Sequence, residues 1–71
     1  MIVEGRIIVV QEQRFRLLTD GGQTYLLTLG RGAPLDASEL AVLKQQNARV
    51  VVNYSGEPNL TGGVARSIER V

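Results

Sequence analysis

Apolar and polar residues alternate through the first half of the chain and predict three β-strands there. In residues 2–10 every second position is apolar or glycine, and the run ends apolar in both registers, which predicts a strand that is buried on both sides at its end. The segments RFRLLT, residues 14–19, and QTYLLTL, residues 23–29, alternate as well. Each of these two strands is expected to bury one face and expose the other.

Glycine and aspartate mark the turns and bends of this first half. DGGQ, residues 20–23, contains the Asp-Gly pair that is typical of a tight hairpin, because residues in such a turn must accept a positive φ. Gly5 interrupts the first strand and predicts a bend or a bulge. The three strands are therefore expected to form a meander.

A short amphipathic helix is predicted next. GRGAPLD, residues 30–36, breaks the strand alternation with two glycines and a proline, and Asp36 followed by Glu39 matches a helix N-terminus. Residues 37–46 are almost all fair to good helix formers, and Asn47 suits a left-handed residue at the C-terminus. The apolar residues that gather on one side of this helix are Ala37, Leu40, Ala41 and Leu43.

Two further strands complete the predicted order. ARVVVNY, residues 48–54, and VARSIERV, residues 64–71, flank the loop SGEPNLTGG, residues 55–63. Three strands, a helix and two strands within 71 residues are the order of a five-stranded OB-fold barrel, the oligonucleotide- and oligosaccharide-binding barrel, with a short helix between strands 3 and 4. The alternative is an SH3-like barrel, which usually lacks that helix. Residues 1–71 are expected to form one domain.

The paired glycines Gly62 and Gly63 raise the alternative of a phosphate-binding loop. A loop of that kind needs a lysine followed by serine or threonine after its glycines, and then a helix. Here Val64 and Ala65 follow, and the next basic residue is Arg66. The glycines are therefore predicted to lie in the turn that joins the last two strands.

Three segments, VEGRI, FRLLTDGG and ARVVVNY, resemble bacterial translation initiation factor one, and the chain looks equally similar to small uncharacterised bacterial proteins of the same strand order. The shared positions are Glu4, Gly5, Phe15, Arg16, Gly22 and the alternating valines of the fourth predicted strand. The resemblance implies a single small barrel that binds the small ribosomal subunit. GRGAPLDASEL and SGEPNLTGG stand where that family has its basic loops and basic chain end, so none of its RNA-contacting residues is carried over.

The composition excludes most catalytic and metal chemistry. The chain has no cysteine and no histidine, which removes disulfides, thiolate nucleophiles, imidazole bases and the common zinc ligand sets. No segment brings together more than one or two carboxylates for a hard cation, and no histidine activates the serines. We therefore expect a non-catalytic protein without a cofactor or a metal.

The N-terminal segment and the net charge limit the location and the ligands that the sequence predicts. Glu4 and Arg6 interrupt the apolar segment MIVEGRIIVV, and no small-residue cleavage site follows it, so neither a signal peptide nor a membrane span is predicted. A cytoplasmic location is the expectation. Eight basic and seven acidic residues give a net charge of +1, so a nucleic-acid contact would require a local basic patch.

Binding of single-stranded nucleic acid or RNA is the main functional hypothesis, because barrels of this class often bind such ligands across strands 2 and 3 and the loops that join strands 1 and 2 and strands 4 and 5. Arg14 and Arg16 project together from strand 2. Tyr54, at the mouth of the last loop, is the candidate for base stacking, whereas Phe15 and Tyr25 share registers with core leucines. The candidate nucleic-acid contacts are Arg14, Arg16, Arg31, Arg49, Tyr54 and Arg66.

A protein partner or self-assembly into a homo-oligomer is the competing hypothesis. Leu18 and Leu26 occupy outward registers of neighbouring strands, and Ile8 and Val10 add apolar surface at the end of strand 1. Covering such surface stabilises a small domain. Two other interpretations involve no ligand and no partner. In the first, the curvature of the barrel buries Ile8 and Val10. In the second, Arg14 and Arg16 simply lie on a strand face that is exposed to solvent.

Overall fold

The strands of the chain close into a barrel in the order β1-β2-β3-β5-β4. The computed structural model describes residues 1–59 and 63–71, so Gly62 of the predicted turn lies outside the described residues. The elements are β1 (Ile2–Gln11), β2 (Arg14–Leu18), β3 (Thr24–Leu29), α1 (Ala37–Gln45), β4 (Arg49–Ser55) and β5 (Val64–Arg70). All strand pairs are antiparallel except β3 with β5. The mainly β, five-stranded OB-fold order with a short helix between strands 3 and 4 is confirmed.

The barrel interior is filled by the inward registers of the strands and by one leucine of the helix. The large side chains that are fully buried are Phe15, Leu17, Leu27, Leu40, Val50 and Val52. Burial of Phe15 and Leu17 confirms the predicted inner face of the second strand. Each fully buried leucine contributes about 1.5–3 kcal/mol, which is large beside the net stability of so small a chain.

Strand β1 serves two partners, and Gly5 lies where it changes from one to the other. Residues 2–6 pair with β4, and residues 6–11 pair with β2. A Cβ atom on Gly5 would lie 2.1 Å from the carbonyl oxygen of Leu18, so the two backbones approach as closely as they do only because this position has no side chain. The sequence predicted a bend or a bulge at Gly5, and the structure shows this close approach there.

A register shift in β1 at Ile8 overturns the predicted burial of the end of this strand. Ile7 pairs with β2 and so does Val9, but Ile8 between them has no partner. The extra residue reverses the alternation, so Val10 packs against the core while Ile8 and Val9 are 38% and 47% exposed. The prediction that this end is buried on both sides is wrong, because the alternation continues through a bulge and not through a regular strand.

The β2–β3 hairpin forms where DGGQ predicted it. Gly22 adopts a φ of 85°, and its N–H donates to the carbonyl oxygen of Thr19 at 3.0 Å. The N–H of Thr19 donates to the carbonyl oxygen of Gln23 at 2.9 Å, which closes the turn. The hairpin tip carries Asp20, whose side chain contacts another part of the barrel.

The N-terminus of α1 is capped as predicted. The carboxylate of Asp36 accepts hydrogen bonds from the hydroxyl of Ser38 at 2.7 Å and from the backbone N–H of Glu39 at 3.0 Å. These two hydrogen bonds lower the pKa of Asp36, because they favour its charged form. The cap therefore satisfies one of the backbone donors that a helix leaves unpaired at this end.

The C-terminus of α1 also ends as predicted, and the helix packs against β1. Asn47 adopts a left-handed φ of 53°, and the N–H of Ala48 donates to the carbonyl oxygen of Leu43 at 3.1 Å. Leu40 is fully buried and Leu43 is half-buried, whereas Ala41, predicted on the same side, is exposed. Within the part of the chain that the structure describes, no helix has the length and apolar character needed to cross a membrane.

Candidate nucleic-acid interface

The outer surface of strands β1, β2 and β3 carries the predicted basic residues of strand 2. Its cross-strand rows are Gln11–Arg14–Thr28, Val9–Arg16–Leu26 and Arg6–Leu18–Thr24. We call the surface formed by these nine residues the β1–β2–β3 face. Strands β2 and β3 contribute no acidic residue to it, because neither strand contains one.

Arg14 and Arg16 project outward because Phe15 and Leu17 between and beside them point into the core. The Cα atoms of the two arginines are about 7 Å apart, the spacing of alternate residues on a strand. Arg14 is exposed, and Arg16 is half-buried between its cross-strand neighbours. Neither takes part in an ion pair among residues 1–59 and 63–71. Their outward register is therefore confirmed.

Arg66 lies on β5, which borders β3 but is two strands away from the β2 strand of Arg14 in the barrel order. Thr28 of β3 pairs with Arg14 on one side and with Val64 on the other. A register shift between β4 and β5 turns Arg66 outward, where its Nε donates to the hydroxyl of Ser55 at 3.1 Å. Because β2 and β5 are two positions apart in a closed five-stranded barrel, Arg66 points in a different direction from Arg14.

Arg49, a predicted nucleic-acid contact, is held by two carboxylates and lies on β4 next to Arg6, its cross-strand partner at the border of the β1–β2–β3 face. Its Nε donates to Glu4 at 2.5 Å, and its two terminal nitrogens both donate to Asp20, one of them at 2.9 Å. This bidentate geometry is the most favourable for an arginine and a carboxylate. The Arg49 cluster, consisting of Arg49, Glu4 and Asp20, joins β4, β1 and the β2–β3 hairpin, and it neutralises the arginine.

Asp20→Asn is expected to weaken the loss of stability that the protein shows as the pH is lowered. The hydrogen bond from Arg49 lowers the pKa of Asp20 below its ordinary 3.8. The carboxylate therefore stabilises the fold above that value, and this contribution is lost as the pH falls through the lower folded-state pKa. Urea midpoints of the parent and Asp20→Asn should differ at about pH 6 and converge towards about pH 2.

The control for this prediction is Glu69→Gln, which removes an exposed carboxylate outside the Arg49 cluster. It should leave the pH dependence of the urea midpoint close to that of the parent protein. A difference between the parent and Asp20→Asn that stays constant down to pH 2 would show that the ion pair is not its source.

Arg31 lies beyond the end of β3 and is not part of the β1–β2–β3 face. It borders a cleft of about 410 Å³ with Gln13 of the β1–β2 turn and with the acidic residues Asp36 and Glu39. The two carboxylates offset its charge locally, so this cleft does not extend the basic surface. Among residues 1–59 and 63–71, no group of three or more acidic side chains is placed to hold a metal ion.

The aromatic side chains point into the barrel, and the predicted stacking role of Tyr54 is not supported by its position. Tyr54 is only 8% exposed, and its ring centroid lies 6.0 Å from that of Tyr25 at an angle of 55°. The prediction of an exposed ring at the loop mouth is wrong, because Tyr54 continues the inward register of Val50 and Val52. The alternation in ARVVVNY was the signal that could have placed it. Tyr25 is half-buried, and Phe15 is buried as predicted.

Asn59 forms hydrogen bonds at the border of the β1–β2–β3 face that no sequence pattern predicted. Asn59, in the loop after β4, adopts a φ of 71°. Its backbone N–H donates to the carbonyl oxygen of Leu26 at 3.2 Å, and its side-chain oxygen accepts from the N–H of Leu26 at 2.5 Å. Its side-chain nitrogen also donates to the carbonyl oxygen of Thr24 at 2.9 Å. One asparagine thus occupies the edge of β3 where β5 does not reach.

A shallow cleft of about 170 Å³ lies within the β1–β2–β3 face. Its lining residues are Val9, Gln11, Arg14, Phe15, Arg16 and Leu26. The predicted interaction residues Leu18 and Leu26 both face outward, which confirms their register, and only Leu26 borders the cleft. Leu18 is 36% exposed and lies one row away.

Comparison with known proteins does not identify a family for this chain. No protein-family model matches it, and neither a curated protein nor a solved structure does.

Proposed function

We propose that the protein is a non-catalytic, cytoplasmic nucleic-acid-binding module that holds single-stranded nucleic acid or RNA against the β1–β2–β3 face. The observation that carries the proposal is the outward register of Arg14 and Arg16 on β2, with Arg66 exposed two strands away on β5. Strands β2 and β3 add no acidic residue there, and strands 2 and 3 are the surface that OB-fold barrels use for such ligands. The resemblance of three segments to initiation factor one supports the same class of ligand.

The arginines act in this proposal by binding the phosphate backbone. Each guanidinium that neutralises a phosphate releases a condensed counterion, so binding weakens as salt is added. Three such contacts on a single strand correspond to a slope of about −2 in a plot of log K against log [salt]. Affinity is then expected to fall about 20-fold between about 50 and 200 mM salt.

The test is a titration of the parent and of the double variant Arg14→Ala/Arg16→Ala with a fluorescent oligonucleotide of mixed sequence at several salt concentrations. The double variant should bind more weakly, and its salt slope should be smaller by about 1.4. The control is Lys44→Ala/Arg70→Ala, which removes the same net charge from exposed positions on α1 and at the far end of β5. It should bind nearly as well as the parent.

Two results would contradict the proposal. One is the absence of oligonucleotide binding by the parent protein at low salt. The other is an equal loss of binding in both double variants, which would assign the effect to net charge and not to the β1–β2–β3 face.

A protein partner is the second candidate, because the same face exposes apolar side chains. Val9 and Leu18 project from neighbouring strands beside the arginines, and such apolar surface is typical of a contact with another protein. A partner or a second copy of the chain held mainly by these residues would bind with little dependence on salt. Light scattering of the same samples therefore distinguishes self-association from the salt-sensitive binding of an oligonucleotide.

A further inference from the structure

The cleft between Val9 and Leu26 has a shape and a lining that differ from those of a simple basic surface. Arg16 lies between these two aliphatic side chains in one cross-strand row, and Gln11 and Arg14 lie in the next row. Val9 points outward here because of the bulge at Ile8, since an unbroken alternation would have turned it towards the core. The bulge thus supplies one apolar wall, and bulges commonly redirect a side chain in this way.

Taking the proposed function as its basis, we infer that this cleft is a subsite for one nucleobase. A base has apolar faces and polar edges, and the cleft offers aliphatic walls together with a planar guanidinium on which a base can stack. The Gln11 amide carries donors and an acceptor that suit a base edge. Arg14, exposed beside the cleft, is placed to bind a phosphate of the same strand.

The aromatic rings point into the barrel, so a base bound to the β1–β2–β3 face stacks on the side chains of this cleft and not on a ring. The chain contains one phenylalanine, two tyrosines and no tryptophan. All three rings occupy inward registers, so none lies on the β1–β2–β3 face. Base stacking on this surface therefore depends on guanidinium and aliphatic groups. The volume of about 170 Å³ is below the roughly 300 Å³ of a pocket for a whole small-molecule ligand, so the cleft takes one base.

The experiment compares two ligands of equal length and charge: an oligothymidylate and an oligonucleotide of the same length whose sugars carry no bases. Fluorescence anisotropy gives both dissociation constants for the parent protein. We expect the base-bearing strand to bind about five- to tenfold more tightly, the lower part of the range for base stacking on protein side chains. Val9→Ser and Leu26→Ser should each reduce this preference, measured as the ratio of the two dissociation constants.

Leu18→Ser is the matched control, because Leu18 faces outward on the same sheet but does not line the cleft. Circular dichroism checks that each variant is folded, and Val9→Ser, at a position 47% exposed, keeps the test valid if Leu26→Ser unfolds. Equal affinity of the parent for both ligands would overturn the subsite while leaving the proposed function in place. Binding of neither ligand would overturn the proposed function itself. A loss in Leu18→Ser as large as that in Val9→Ser would overturn the assignment to this cleft.

Discussion

Tyr54→Ala is expected to lower the free energy of unfolding by about 3–5 kcal/mol, the cost of deleting a buried aromatic ring. Tyr54 is 8% exposed and shares its inward register with the fully buried Val50 and Val52. The ring also packs near Tyr25. Urea denaturation followed by circular dichroism measures the change, and Tyr54→Phe, which keeps the ring, should retain most of the stability.

The same pair of variants tests the stacking role that the sequence suggested for Tyr54. If Tyr54 contacted a nucleic acid directly, Tyr54→Ala would remain as stable as the parent and lose affinity for an oligonucleotide. A destabilised Tyr54→Ala together with a Tyr54→Phe variant that binds normally would confirm a structural role. Binding is therefore measured at a temperature at which denaturation data show both variants to be folded.

Gly5→Ala is expected to lower the free energy of unfolding by about 1–3 kcal/mol or more, because a methyl group here meets backbone and not a movable side chain. The added Cβ would lie 2.1 Å from the carbonyl oxygen of Leu18. Strands β1 and β2 must separate to accept it at the point where β1 changes its partner. A chain of 71 residues has a total stability of about 4–11 kcal/mol, so this change is a large fraction of it.

Gly32→Ala is the control for Gly5→Ala, since a Cβ on Gly32 meets nothing within 4 Å. It should be neutral or slightly stabilising, because alanine restricts the unfolded chain more than glycine does. Similar urea midpoints for the two variants would show that the close approach of β1 and β2 does not require a glycine. The comparison separates the loss of backbone freedom, which both variants share, from the steric clash that only Gly5→Ala creates.

The arginines predicted to contact nucleic acid differ in whether their charge is open to a ligand or already paired with carboxylates of the protein. Arg14 and Arg16 stay on an open strand face, whereas Arg49 is paired with Glu4 and Asp20. All of these arginines carry the same charge in the sequence. The partners of Arg49 lie 45 and 29 residues away along the chain, so only the folded barrel shows that its charge is already neutralised.

Local patterns were sufficient for most of the architecture. The alternation of residues 14–18 and 24–29, the Asp-Gly turn at residue 20 and the cap at Asp36 each depend on residues close together in sequence. Such features are encoded by the preferences of a few neighbouring residues. The same is true of Asn47, whose left-handed conformation ends the helix.

Because of two bulges, the alternation of apolar and polar residues did not predict every side chain that points outward. The extra residue at Ile8 exposes Val9, and the shift between β4 and β5 turns Arg66 outward. A bulge reverses every later side chain on its strand, yet it depends on the curvature and closure of the whole barrel. The alternation in the sequence of β1 therefore does not predict the apolar wall of the proposed base subsite.

The sequence by itself determined the strand and helix order, the inner residues of β2 and the absence of histidine and cysteine chemistry. Only the tertiary structure decided that Tyr54 lies in the core, that Arg49 is paired with carboxylates and that Asn59 forms hydrogen bonds with β3. The first group depends on short-range periodicity and composition. The second depends on contacts between segments far apart in the chain, and these contacts exist only once the barrel has closed.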